Sequence, residues 1–202
     1  MTSTLAWVAA AATALFLSAC TSPASDGHTD HQHGSESSSA AASAAPADHD
    51  AADLTFVTGM IPHHEQAVQM SAMVPERSTN PAVIKLAADI SAAQGPEIAT
   101  MKAWLAQWTG GNDAGAAHEG HDMGAMDGMV DDATMTKLDT LKGPDFDTLW
   151  LRSMIGHHEG AITMANTEIA DGANPDAKAL ATQIVTTQQA EIDQMKKMTG
   201  QS

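Results

Sequence analysis

The feature that most constrains this chain is an internal repeat at a constant offset of 94 residues. The segment MIPHHEQAVQM, beginning at Met60, returns as MIGHHEGAITM, beginning at Met154. The register then holds without a gap: Asp53 matches Asp147, Asn80-Pro81 matches Asn174-Pro175, Ile90 matches Ile184, Gln94 matches Gln188, Glu97 matches Glu191 and Met101 matches Met195. Two stretches of about 55 residues that keep register throughout are one structural unit used twice.

Each unit reads as two helices. The first copy predicts a helix from about Asp53 to Pro75, and a second that opens at an Asn N-cap followed by proline in the first turn. The second copy predicts Asp147 to about Asp171 and Pro175 to about Thr199. Pro62 and Gly95-Pro96 fall inside the first copy's helices, where they should kink them; the second copy has Gly156 and Gln189-Ala190 at these sites. An isolated hairpin leaves its apolar stripes exposed, whereas two copies close a core. The expected fold is therefore all-α, a four-helix bundle with an approximate twofold axis. A short helix near Asp132 to Leu141 leads into the second copy.

The remainder of the 202 residues divides by composition. Leu5 to Ala19 is nearly all apolar and too short to span a bilayer comfortably, which suits a signal peptide. It ends in Leu17-Ser18-Ala19-Cys20, which resembles a bacterial lipoprotein signal with Cys20 as the lipidated residue. No Lys or Arg precedes the run. Residues 20–52 are Ser, Ala, Gly, Asp and His with almost no large apolar side chain, and read as a flexible tether carrying His28, His31, His33 and His49. The domain proper is 53–202, with repeat one at 53–108, a Gly-rich linker at 109–130 and repeat two at 147–202. A single cysteine excludes an internal disulfide and any multi-thiolate zinc site. Nine Lys and Arg against a net charge of −16 exclude nucleic acid and are compatible with cations.

A helical wheel centred on Met60 places Asp53, Phe56, Val57, His63, His64, Ala67, Met70, Ser71 and Val74 within about 80 degrees of it, while Glu65 points away. On the second helix Ile90, Gln94, Glu97, Met101, Leu105 and Trp108 share one stripe. An amide, a carboxylate and adjacent imidazoles thus enter the core, where an unpaired neutral amide costs roughly 2–7 kcal/mol and a charge more. These groups either close a hydrogen-bonded network among themselves or hold a metal. Adjacent histidines at equivalent places, His63-His64 and His157-His158, come with Met60, Met154, Met70 and Met164 nearby and with Glu97, Glu191, Met101 and Met195 on the second helices. Imidazole with thioether suits copper. The methionines among them also read as core filling, since the chain has thirteen Met against three Phe and no Tyr. In the linker, His118, His121, Met123, Met126 and Met129 have no core to fill, and make a secondary metal set. Zinc, nickel and iron remain open beside copper.

The duplicated HH motif with its downstream Asn-Pro and Gln-x-x-Glu-x-x-x-Met helix resembles the bacterial domain of unknown function 305 family over Asp53 to Trp108 and Asp131 to Met198. The resemblance implies a secreted or lipid-anchored protein of ferritin-like helical fold, with copper binding in some members, and so a metal at His63, His64, His157 and His158. A di-iron oxidase needs a Glu on each of two helices and Glu-x-x-His on each of two others, and neither copy contains Glu-x-x-His. No Ser or Cys nucleophile stands beside a positioned His. The expected function is a metal-binding lipoprotein on the outer face of the cell membrane, sequestering, buffering or handing on copper. The alternatives are a ferritin-like metal-dependent oxidoreductase and a structural or interaction domain with a buried His/Gln/Glu network.

Overall fold

A computed structural model describes residues 48–111 and 127–200. Cys20, the signal segment, the tether up to residue 47, and His118, His121, Met123 and Met126 of the linker lie outside the described residues. The described residues form α1 (Ala51–Arg77), α2 (Pro81–Trp108), α3 (Asp132–Thr140), α4 (Gly143–Asp171) and α5 (Pro175–Met198), with no strand. None of these helices is long and apolar enough to cross a membrane.

The termini follow local chemistry. α1 starts before Asp53 because Asp50 and Asp53 form a capping box: the Asp50 carboxylate accepts from the Ala52 and Asp53 N–H groups at 2.8 and 3.1 Å, and Asp53 accepts from the Asp50 N–H at 2.7 Å. Asn80 and Asn174 cap α2 and α5 from identical positions in the repeat, each followed by proline in the first turn. α4 begins four residues before the expected Asp147, because Pro144 is already in its first turn with φ preset for a helix. Pro62, Pro75 and Pro96 lie inside continuous helices, so each removes one donor without ending its helix, and α1 runs past Pro75 to Arg77.

α1 packs on α2 and α4 on α5, and contact between α1 and α4 joins the repeats. The core falls into two apolar clusters. One combines Ala67, Met70 and Val74 from the C-terminal half of α1 with Phe146, Trp150, Leu151, Met154 and Ile155 from the N-terminal half of α4. The other combines Phe56, Val57, Met60 and Ile61 from the start of α1 with Ala161 and Ala165 from the later part of α4. α1 and α4 therefore run antiparallel, α2 and α4 run parallel across the long linker, and the two HH motifs sit at the waist between the clusters. This is the one-crossover connectivity of ferritin-like bundles. The outer faces repeat as well: Lys102 pairs with Glu65 at 2.5 Å and Lys196 with Glu159 at 3.3 Å, contacts worth at most about 1 kcal/mol each at the surface. Trp150 donates its indole N–H to the Met70 carbonyl at 3.0 Å, tying α4 to α1 inside the first cluster.

Candidate metal centre

The apolar stripe of α1 carries its histidines inward. All nine wheel neighbours of Met60 are buried, and His63 and His64 are both 0 % exposed. His157 and His158 are at 1 % and 0 %. Antiparallel crossing of α1 over α4 brings the motifs face to face, with the His63 and His157 rings 3.8 Å apart between centroids and tilted by 42°. The neighbours, His64 and His158, turn toward the second helix of their own hairpin. The ring Nε2 of His64 lies 2.8 Å from Glu97 Oε2, and that of His158 lies 2.7 Å from Glu191 Oε2. Both pairs are separated by 33 residues, so the repeat reproduces the chemistry and not merely the backbone.

Protonation follows from this environment. Burial pushes the His63 imidazolium down to about 3, with further help from His64 and His158, while the Asp127 carbonyl 3.2 Å from its Nε2 works the other way. Burial likewise holds His157 well below the usual range, followed by the charges of His63, His158 and His64. The His63 main chain, close to the ring without the alignment of a hydrogen bond, opposes this least of all. His63 and His157 are therefore neutral at ordinary pH, the form in which imidazole binds metals. In a neutral ring that donates Nε2–H to a carboxylate, Nδ1 carries a bare lone pair. The buried Nδ1 atoms of His63, His64, His157 and His158 have no hydrogen-bond partner, and neither has His157 Nε2. The Gln94 amide and Gln188 Oε1 are also unpartnered.

The methionines obey the same symmetry. Met154, Met195 and Met70 belong to the first apolar cluster, and Met60 and Met101, with the half-buried Met164, to the second. Of these six methionines, each cluster thus takes two from one repeat and one from the other. Glu97 is buried, whereas Glu191 is half-buried. Of the linker set only Met129 is described, and it is half-buried. Among the described residues no three histidine or carboxylate side chains gather tightly enough to enclose an ion by themselves.

One buried group was not singled out from the sequence. Glu168 is 1 % exposed at the position where repeat one has Val74. Burial, then the hydrogen bond and charge of Asp53, then Asp50, raise its carboxyl to about 8 against the opposing Lys178. Burial would raise Asp53 too, but N–H groups of Asp50, Asn174 and Ala173 and the Glu168 side chain hold it below its usual value. The two acids lie together at the end of the bundle where α1 begins. An acid in place of a valine on a buried stripe is the sequence signal that could have found it.

Such a waist defines a class of duplicated four-helix bundle whose central layer holds four buried imidazoles, two of them paired with carboxylates. The profile of the domain of unknown function 305 family, DUF305, matches residues 53–199, and the chain belongs to that family. A DUF305 protein of Streptomyces coelicolor, designated a candidate secreted protein, is similar at 34 % identity and a TM-score of 0.64 over 73 % of this chain and 91 % of that one. A DUF305 fragment from Deinococcus radiodurans matches at 34 % identity and 0.67 over 78 % and 100 %. CopM in its Cu(II)-bound form matches at 33 % identity and 0.63 over 73 % and 95 %, and is also known with Cu(I) and with silver bound. The uncharacterized protein L153 of Acanthamoeba polyphaga mimivirus shares 40 % identity over 53 residues, 26 % of this chain, which spans 35 % of that protein's length.

Proposed function

We propose that this chain is an extracytoplasmic copper-binding lipoprotein, anchored through Cys20, whose tightest site is the histidine waist and whose role is to sequester, buffer or hand on the metal. The observation that carries this reading is the set of five buried, unpartnered ring nitrogens in one layer. A buried polar atom without a partner costs about 1–3 kcal/mol, so a purely structural network would satisfy them, and this one satisfies only the far side of each Glu-bound ring and the Nε2 of His63. A carboxylate on the outer nitrogen fixes the tautomer and raises the basicity of the other nitrogen, the arrangement found around metal-ligating histidines. Since imidazoles and carboxylates alone do not enclose an ion among the described residues, the set is completed by thioether sulphur from Met60, Met154 or their cluster partners Met70, Met101, Met164 and Met195. Imidazole with thioether favours copper over iron or manganese. CopM, a similar bundle, binds copper and silver. The tether and linker histidines and methionines add capacity outside the bundle, and the lipid anchor keeps the protein at the outer membrane face.

Glu97 and Glu191, the carboxylates beside the histidines, are already engaged with them, and the buried Asp53 and Glu168 stand at the bundle end, which leaves the oxidoreductase alternative without four carboxylates around one di-iron site. The test is a thermal-shift titration of the full chain with Cu(I), Cu(II), Zn(II) and Fe(II). A ligand that binds only the folded state at 100 times its Kd stabilises it by about 2.7 kcal/mol. Saturable stabilisation strongest with copper, and absent when His63, His64, His157 and His158 are all changed to Ala, is expected. Equal melting temperatures with and without every metal would instead favour the structural network.

A further inference from the structure

The two copies of the HH motif are alike in sequence but not in surroundings. On one side of the waist the chain returning from the linker lies across the histidines as a strap, Asp127–Val130. Its Asp127 carbonyl accepts from His63 Nε2–H at 3.2 Å. Two residues on, Val130 uses both main-chain groups: its N–H donates to Gln66 Oε1 and its carbonyl accepts from Gln66 Nε2, each at 2.8 Å. Between these points Gly128 adopts φ +82 and lies against α4, where a Cβ on it would meet the Gly156 carbonyl at 2.7 Å and the Gly160 Cα at 2.8 Å. A Cβ on Gly160 would sit 2.0 Å from the Asp127 carbonyl oxygen. Only glycine fits either position.

These contacts fall where the repeats differ. Gln66 corresponds to Gly160 and Pro62 to Gly156. The twofold image of the strap would need an amide at 160 and bare backbone at 62 and 66, and finds the reverse. His157 consequently has no counterpart of the Asp127 carbonyl, and both of its ring nitrogens are buried and unpartnered.

We propose that the strap makes the duplicated motifs unequal, with His63 locked in one tautomer through the Asp127 carbonyl and His157 left as the imidazole that first takes the metal, and that Gln66 is the residue positioning the strap. The ranking of the two histidines rests on the metal-binding reading above; the locking of His63 does not.

The test has a metal-free arm and a metal arm, both on the full chain. Without metal, imidazole nitrogen NMR of the wild-type protein should show His63 as the Nε2–H tautomer, with the Val130 amide protected from exchange. In Gln66→Ala and in Gly160→Ala the Val130 amide should exchange at least tenfold faster and His63 should lose its single tautomer. Gln66→Glu, which keeps an acceptor for the Val130 N–H, should retain part of the protection. An unchanged His63 signature in both Gln66→Ala and Gly160→Ala overturns the lock. With Cu(I) in chelator competition, His157→Ala should weaken the tightest site at least tenfold more than His63→Ala, and the gap should shrink in the Gln66→Ala background. Equal losses overturn the ranking. Failure of copper to bind the wild-type chain overturns the ranking together with the proposed function, while the tautomer arm still decides whether the strap holds His63.

Discussion

At the scale of single residues, buried polar groups carry the information. The four core histidines were legible in the sequence because helical periodicity alone puts His63, His64, His157 and His158 on apolar stripes. The partners of His64 and His158 were half legible: Glu97 and Glu191 lie on the inward stripe of the second helices, but only the folded chain pairs each with one histidine and leaves the other for the opposite repeat. Glu168 escaped because a lone Glu on an otherwise mixed helix reads as a solvated group. Its buried position has a measurable consequence. Its carboxyl holds a proton to about 8 in the fold, against 4.5 for the unreacted group, so between these values the unfolded chain binds fewer protons than the native one and stability falls as pH rises. Below about pH 6.5 the buried, neutral His63 and His157 act in the opposite sense, since the unfolded chain then takes up protons that the fold refuses. Between pH 7 and 8 Glu168 outweighs the two histidines, which the unfolded chain then protonates only in small part. Urea unfolding at pH 7 and 8 should show the wild-type protein losing stability over this step, and Glu168→Gln, which can still donate to Asp53, should flatten the slope.

At the scale of elements, the repeat and the Asn-Pro starts made the helix order legible, and α3 was foreseen near its observed place. Boundaries were less so, because they depend on short-range contacts that compete with one another: the capping box at Asp50 outweighs the apolar pattern as the start of α1, and Pro144 starts α4 before its apolar stripe begins. The two Asn caps are identical in sequence but not in setting. Asn174 is 3 % exposed, and its side chain accepts from both Asp176 and Ala177 N–H at 3.0 Å, while its own N–H reaches Asp53. Asn80 is exposed and accepts only from Ala82 N–H at 3.0 Å. Loss of an N-cap costs about 0.5–2 kcal/mol. Asn174→Ala should therefore fall at the upper end of that range and Asn80→Ala at the lower end, as chemical denaturation would measure; equal costs would mean the buried contacts of Asn174 contribute nothing.

For the whole molecule, duplication explains both what was legible and what was not. Two copies of one hairpin must close a bundle about an approximate twofold axis, with an HH motif on an inward stripe of each copy. That much follows from the offset and the wheel. Whether the motifs form one layer or two separate sites depends on how the hairpins cross, and the 3.8 Å approach of His63 to His157 shows a single layer. The departures from symmetry, Gln66 against Gly160 and Glu168 against Val74, were visible as mismatches between the copies, but their meaning needed the strap and the bundle end in three dimensions. The central claim is that the tightest metal site lies in this layer and not in the His/Met-bearing linker. The direct measurement is Cu(I) affinity, by chelator competition, for two variants of the full chain: one with His118, His121, Met123, Met126 and Met129 changed to Ala, the other with His63, His64, His157 and His158 changed to Ala. The account predicts that the first keeps the tightest site and loses only weaker equivalents, and that the second loses it. Retention of the tightest site by the second variant, with its loss from the first, would contradict the account and move the copper chemistry to the linker.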